Sequence, residues 1–178
     1  MADNSFSIDV AAIRERARRK MDEGVVTDGY KRSPEQVIGV LNDVLATEIV
    51  CWMRYAQHAI SASGIDRAQV SDEFTEHAQE ERDHAMRAAE RISQLGGDPD
   101  FDPETLARRS HTEYKTFKDD DLRGMLEENL VAERIVIESY QEIIRWLGEG
   151  DVTTRRLMED ILAEEEEHAD DLMDLLGK

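Results

Sequence analysis

The sequence predicts an all-α protein, built as a four-helix bundle with one long crossover connection and an additional amphipathic helix at the N-terminus. Three observations support this fold class. Only three prolines occur in 178 residues, which leaves room for long uninterrupted helices. Apolar residues recur at steps of three and four through four separate segments, as on one face of a helix. Two of the three connections between these segments are short, which is typical of antiparallel helix pairs.

Capping residues mark the ends of the first two long helices. The first helix begins after Ser33, which is predicted to form a capping box with Gln36, and runs to about Ala62. The second helix has the same arrangement at Asp66 and Gln69 and ends before a Gly-Gly pair. A short connection therefore joins the first two helices into a hairpin.

The second half of the chain repeats this plan. The third helix follows the acidic cluster 119–121, whose charges favour a helix N-terminus, and ends at Gly148. The fourth helix begins near Asp151 and ends at Gly177. Residues 98–118, which connect the second and third helices, are expected to cross the length of the bundle.

An N-terminal extension, residues 1–33, precedes the bundle domain of residues 34–178. Within it, residues 9–23 are expected to form a separate amphipathic helix. Its apolar residues lie at helical spacing: Val10, Ile13, Ala17 and Met21. The apolar face of this helix could pack against its own bundle or against a neighbouring subunit.

The composition limits the partners and the compartment. A net charge of −19 repels nucleic acid and anionic membranes on average and attracts cations. We expect a cytoplasmic protein without a membrane contact, because the chain has no run of 18 apolar residues and no signal-peptide pattern. Cys51 is the only cysteine, so neither an intrachain disulfide nor a thiolate cluster can form, and we expect it to be buried.

An internal repeat relates the two predicted hairpins. The first helix of each carries a glutamate followed seven residues later by a tyrosine: Glu48 with Tyr55, and Glu133 with Tyr140. The second helix of each carries a Glu-x-x-His motif: Glu81 with His84, and Glu165 with His168. The i, i+3 spacing places both side chains of each motif on one helical face.

These polar residues lie on the apolar faces of their helices. The first helix shows this clearly, because its inward face reads Val37, Leu41, Val44, Glu48, Trp52, Tyr55 and Ala59. All four glutamates are near mid-helix, so they should meet at one height in the core. Buried carboxylates need compensation, and we expect no lysine or arginine mid-helix on these faces. Two divalent cations would balance four carboxylates, and Glu and His donors favour iron or manganese.

At these residues the sequence resembles the ferritin superfamily, specifically the bacterioferritins and their Dps-like relatives, over roughly residues 34–176. The resemblance implies a ferroxidase centre that oxidises two iron ions per subunit with O2 or H2O2, and storage of the ferric product. It also implies the ligand set Glu48, Glu81, His84, Glu133, Glu165 and His168. Glu81 and Glu165 would bridge the two ions. Tyr55 would be a redox-active tyrosine beside the iron, whereas we expect Tyr140 to be structural.

The sequence departs from the bacterioferritin pattern in ways that bear on haem and assembly. Arg82 stands where bacterioferritins carry the haem-binding methionine, so we expect no haem. The chain ends ten residues after His168, which leaves no fifth helix. Together with the N-terminal extension, this favours a 12-subunit homo-oligomer over a 24-subunit one. Cys51 alone cannot supply the cysteine pair of the sulfur-containing Dps-like subgroup.

The remaining histidines are less clearly placed by the sequence. His77 lies on the same face as Glu81 and His84, so it is a candidate metal ligand or iron-entry residue. The alternative for His77 is a hydrogen-bonded histidine of the core or of a pore. We expect His58 and His111 to lie on the surface or in loops.

Two other functions remain open from the residues alone. A dinuclear metal enzyme that stores nothing, such as a rubrerythrin-like peroxidase or a manganese catalase, would have a similar ligand set. No Cys-x-x-Cys rubredoxin module supports the rubrerythrin version. A DNA-binding structural role would rest on one basic cluster, Arg14, Arg16, Arg18, Arg19 and Lys20. The net charge opposes it, and we do not expect DNA binding.

Overall fold

The computed structural model describes residues 6–19, 21–117 and 121–177, and every regular element in these ranges is helical. The elements in chain order are α1 (Val10–Arg19), a 3₁₀ turn (Met21–Glu23), α2 (Pro34–Ser61), α3 (Arg67–Gln94), α4 (Leu106–Arg109), α5 (Leu122–Leu147) and α6 (Val152–Leu175). Lys20, Asp119 and Asp120, which the sequence analysis used, lie outside the described residues.

Helices α2 and α3 pack together along their length, as do α5 and α6. The two hairpins then join through contacts of α2 with α5 and of α3 with α6. This arrangement confirms the predicted all-α four-helix bundle. Because the two hairpins have the same order of helices, equivalent residues of the sequence repeat occupy equivalent places in the bundle.

Side-chain caps form at the N-termini of three of the four long helices, including the one predicted at Ser33. Ser33 Oγ accepts a hydrogen bond from the backbone N–H of Gln36, and Asp121 and Asp151 cap α5 and α6 in the same way. The cap predicted at Asp66 is wrong in its detail, because that side chain accepts no capping hydrogen bond. Gly148 ends α5 with a φ of +48°, a backbone conformation that favours glycine.

The connection between α3 and α5 crosses the length of the bundle along α2, as predicted. The backbone N–H of Asp100 donates to Asn42 Oδ1 at 2.8 Å, and that of His111 donates to Thr47 Oγ1 at 3.0 Å. Further on, the Phe117 ring lies 6.1 Å from the His58 ring. The crossover therefore covers a second side of α2 and includes the short helix α4, which the sequence did not predict.

Helix α1 forms within the predicted segment, but none of the described residues covers its apolar face. No residue of α1 is buried, and Val10 and Ile13 are 44% and 43% exposed. Met21, in the following 3₁₀ turn, is 80% exposed. The N-terminal extension thus presents apolar side chains to whatever lies outside this chain.

The apolar core consists of two clusters, one toward each end of the bundle. On α3, residues 85–92 belong to one cluster and residues 70–78 to the other, so Glu81 lies between them. On α6, Ile161 and Leu172 lie on either side of Glu165 in the same way. The glutamates thus form a polar layer across the middle of the core.

Helix α2 is the most apolar helix, and by length and composition alone it would be long enough to cross a membrane. Half of its 28 residues are buried in the bundle, and they include charged residues. The predicted inward face of α2 is wrong at Trp52, which is 37% exposed. This helix therefore serves as a core element of the bundle.

Candidate metal centre

The structure brings all six predicted ligand residues together in the polar layer. Glu48, Glu81, His84, Glu133 and Glu165 are fully buried, and His168 is 2% exposed. Their donor atoms form two groups, each with its atoms within 4.8 Å of one another. One group contains Glu48, Glu81, His84 and Glu165, and the other contains Glu81, Glu133, Glu165 and His168. Glu81 and Glu165 belong to both groups, so these two carboxylates lie between the remaining members of one group and those of the other.

Each histidine turns Nδ1 toward the middle of the layer. His84 Nδ1 lies 3.0 Å from Glu165 Oε1 and 3.4 Å from Glu48 Oε2. His168 Nδ1 lies 3.4 Å from Glu165 Oε2 and 3.7 Å from Glu81 Oε1. The two imidazoles therefore approach opposite oxygens of Glu165, one in each donor group.

Many donor atoms in this layer have no hydrogen-bond partner. The unpaired atoms are Glu48 Oε2, both carboxylate oxygens of Glu81, Glu133 Oε2, Glu165 Oε2 and His168 Nδ1. Leaving a buried polar atom unpaired costs about 1–3 kcal/mol, and more for a charged group. Divalent cations between these atoms would satisfy them, so the residues present fit a pair of metal ions.

Two tyrosines connect the hairpins through this layer. The hydroxyl of Tyr55 on α2 donates to Glu133 on α5, and the hydroxyl of Tyr140 on α5 donates to Glu48 on α2. Burial, followed by the charge of the nearby glutamate, raises the pKa of both tyrosines well above the usual range. Both hydroxyls therefore stay protonated. They orient Glu48 and Glu133, each of which belongs to one of the two donor groups and not to both.

Each imidazole also contacts one carboxylate outside the donor groups, through the ring nitrogen Nε2. The sequence analysis did not identify these two outer carboxylates. Glu164 Oε2 lies 2.7 Å from His84 Nε2, and Glu80 Oε2 lies 2.8 Å from His168 Nε2. Such a partner fixes the orientation of a metal-binding imidazole and the tautomer that leaves Nδ1 free. A sequence signal was available, because a second glutamate immediately precedes each Glu-x-x-His motif.

In the metal-free site, the imidazoles neutralise part of the negative charge. Burial lowers the pKa of His84, but its hydrogen bond to Glu165 and the nearby charge of Glu48 outweigh this and raise it to about 11. The pKa of His168 rises to about 9 in the same way, through Glu165 and the charge of Glu133. Burial alone would raise the pKa of Glu165, but the hydrogen bond with His84 and the positive charges of both histidines outweigh it and lower this pKa.

Two of the other glutamates favour their neutral form without metal. Burial and the charge of Glu165 raise the pKa of Glu133 to about 8. The same two causes raise the pKa of Glu81 well above its usual range. Protons thus occupy the layer where cations are absent, and cations must displace these protons in order to bind.

The sequence analysis did not identify Arg54, which is fully buried on the side of α2 that the crossover covers and not on the predicted inward face. Its Nε donates to Asn129 Oδ1 at 2.8 Å, and Nη1 donates to the backbone carbonyl of Glu113 at 3.2 Å. The guanidinium carbon lies 5.8 Å from the Tyr55 ring. Arg54 therefore places a positive charge beside the layer and ties α2 to the crossover and to α5.

The prediction of a surface or loop position is also wrong for His58, which is fully buried. Asn129 Nδ2 lies 3.1 Å from His58 Nδ1, and burial together with the charge of Arg54 lowers the pKa of His58 to about 4. His111, in contrast, is exposed in the crossover as predicted. Cys51 is buried as predicted, and burial raises the pKa of its thiol to about 12.

His77 lies next to the layer without belonging to either donor group. It is 1% exposed, and its ring stacks on that of His168 with a centroid distance of 4.1 Å. Burial, followed by the charge of His168, lowers the pKa of His77 to about 3. A neutral imidazole therefore stands one turn outside the second donor group.

Comparison with known proteins identifies the family. A model of the ferritin-like domain matches residues 38–178. The chain belongs to the ferritin-like domain family. It is 30% identical over 134 residues to a bacterioferritin of Desulfovibrio desulfuricans, across 75% of this chain and 70% of the relative. It is 29% identical over 135 residues to a nutrient stress-induced DNA-binding protein of Synechococcus, across 75% and 77%.

Solved structures of similar proteins agree with this assignment. A bacterioferritin-related protein from Bacteroides fragilis, described as a dodecameric thioferritin, superposes on this ferritin-like chain with a TM-score of 0.78. The two are 38% identical, and the match covers 83% of this chain and 88% of the other. The Dps protein of Vibrio cholerae, at 22% identity and a TM-score of 0.75, shares the fold over 80% and 90% of the two chains.

The protonated histidines predict that metal binding releases protons. At pH 7 the imidazoles of His84 and His168 both carry a proton, and both must lose it to bind a cation. Titration with Co²⁺ in buffers of different ionisation enthalpy should therefore show release of about two or more protons per subunit. Equal heats in all buffers would contradict this protonation pattern.

The same pKa values set the sign of the pH dependence of stability. A histidine whose pKa is higher in the folded than in the unfolded state stabilises the metal-free fold. This stabilisation is complete below the unfolded pKa of about 6.5, and it is lost as the pH rises through the folded pKa. The raised pKa of Glu133 acts in the same direction. We therefore expect Co²⁺ to raise the melting temperature more at pH 8.5 than at pH 6.

Proposed function

We propose that this protein oxidises ferrous iron between the two donor groups and stores the ferric product inside a homo-oligomeric shell. The observation that carries the proposal is the sharing of Glu81 and Glu165 by two groups of buried donors. Two Fe²⁺ ions held side by side supply the two electrons that reduce one H2O2 to water or one O2 to the peroxide level. Iron is here both the substrate and the stored product.

The donor set supports iron as the substrate. Four carboxylates and two imidazoles, with no thiolate among the buried donors, suit a hard or borderline divalent ion such as Fe²⁺ or Mn²⁺. Each ion would have a terminal glutamate oriented by a tyrosine and a histidine oriented by an outer carboxylate. The protein thus fixes the donors before iron arrives, which keeps the two ions adjacent.

Storage requires an enclosed volume, since ferric oxide precipitates when it is released into solution. The acidic excess of 41 against 22 basic residues would concentrate cations at a shell wall. The uncovered apolar side chains of α1 offer a surface for subunit contacts. In residues 121–177, α5 and α6 are not followed by a further helix, which fits a 12-subunit assembly. One similar protein is described as dodecameric. We place this shell in the cytoplasm.

Two expected absences belong to the same proposal. Arg82 is exposed and its guanidinium offers no ligand for haem iron, so we propose that the protein works without haem. In α1, Arg19 pairs with Glu15, which offsets part of the positive charge of the N-terminal basic residues. We therefore expect little binding of DNA at physiological salt, although two relatives carry names that refer to DNA binding.

Oxidation of added Fe²⁺, followed by size analysis, tests the storage function. We expect light scattering to give roughly 12 times the chain mass of 20.4 kDa, with an iron core that co-elutes with the protein. A mass near two chains would contradict storage and would favour a peroxidase or catalase that stores nothing. A mass near 24 chains would be consistent with storage and would contradict the 12-subunit assembly.

The two tyrosines provide a matched test of the role of Tyr55. Tyr55→Phe and Tyr140→Phe each remove one equivalent hydroxyl from a buried carboxylate. If Tyr55 is redox-active, stopped-flow oxidation of Fe²⁺ should slow more in Tyr55→Phe than in Tyr140→Phe. A tyrosyl radical signal should also be lost only in Tyr55→Phe. Equal rates and spectra in the two variants would show that both tyrosines only orient glutamates.

A further inference from the structure

A third group of donors lies outside the polar layer. Glu73 and His77 on α3 and Asp171 on α6 have donor atoms within 4.8 Å of one another. His77 Nε2 lies 3.3 Å from Glu73 Oε1 and 3.7 Å from Asp171 Oδ2. The group therefore joins α3 and α6, the same two helices that carry the Glu-x-x-His motifs.

His77 distinguishes this group from an ordinary acidic surface cluster. Its side chain is only 2% exposed, whereas those of Glu73 and Asp171 are 28% and 53% exposed. Neither nitrogen of the His77 ring has a hydrogen-bond partner, and the approach of Glu73 is not oriented to form one. Burying an imidazole in this state is costly, and a cation bound at Nε2 would compensate it.

These residues line a cavity of about 250 Å³ that also reaches the metal centre. Its lining consists of six carboxylate side chains and two imidazoles, those of His77 and His168. Glu80 and Glu164, the outer partners of His168 and His84, are among the carboxylates. The cavity thus connects the third donor group with His168 and with Glu164, the outer partner of His84.

We propose that Glu73, His77 and Asp171 bind a third divalent cation, which then passes to the dinuclear site. The half-exposed carboxylates would take up a hydrated ion, and His77 would replace one of its waters. Binding at this site stands independently, whereas the transfer step rests on the proposed function. The ring of His77 stacks on that of His168, so the proposed third site lies directly beside the second donor group.

Crystals of the full chain loaded with Co²⁺ test the binding site through anomalous scattering. We expect a peak between Glu73, His77 and Asp171 that disappears in the double variant E73Q/D171N. The matched control D72N/D170N removes the same charge from neighbouring exposed positions on α3 and α6 and should keep the peak.

The outcomes separate this inference from the proposed function. A third peak supports the inference even if no peak forms at Glu48 and Glu133, which would contradict only the dinuclear proposal. Absence of the third peak at millimolar Co²⁺, or its survival in E73Q/D171N, would overturn the inference.

The transfer step has a readout that does not depend on oxidation. The rate at which limiting Co²⁺ reaches the dinuclear site, followed by its visible absorption, should fall on the order of tenfold in E73Q/D171N, because local carboxylates raise cation on-rates. The control D72N/D170N should bind at the unmodified rate. Equal rates in the two double variants would overturn the transfer and leave only a binding site.

Discussion

Four carboxylates that share the middle of an apolar core are the constraint on which the rest of the structure depends. Their mutual repulsion and lost hydration would oppose folding, and the donor atoms that lack partners show that the protein alone does not remove this cost. Without metal, protons on Glu81, Glu133 and the two histidines compensate part of the charge. Protonation therefore offsets part of this cost, and the carboxylate oxygens left without partners suit the layer to divalent cations.

The repeat in the sequence becomes a two-fold arrangement of support around this layer. Each hairpin orients groups of the other, since Tyr55 reaches across to Glu133 and Tyr140 to Glu48. The outer carboxylates also cross between hairpins, as Glu164 on α6 holds His84 on α3. Because every support comes from the opposite hairpin, the geometry of the site depends on correct pairing of the two halves. Arg54 is an exception to the symmetry, and its charge lies beside Tyr55 alone of the two tyrosines.

The sequence was sufficient to predict the four long helices and the six convergent residues, because caps, apolar spacing and the repeat all act within one helix or between equivalent helices. It failed where the crossover packs on α2. Arg54 and His58 are buried because the crossover covers a second side of that helix, and a segment without periodicity gives no warning of this. Trp52 shows the opposite error. Its spacing predicts a buried position on the inward face, but its side chain is partly exposed. Glu80 and Glu164 were missed because they are half-exposed residues in acidic helices, where a solvated role is the usual expectation.

Mössbauer spectroscopy of the protein titrated anaerobically with ⁵⁷Fe²⁺ tests the central claim most directly. If the layer holds two bridged ions, about two Fe²⁺ per subunit should bind before free iron appears, and oxidation should give a magnetically coupled ferric pair. Glu133→Ala should lose at least one ion, whereas Glu138→Ala, an exposed change on the same helix, should lose none. Binding of fewer than two ions, or an oxidised product made only of isolated ferric ions, would contradict the dinuclear centre.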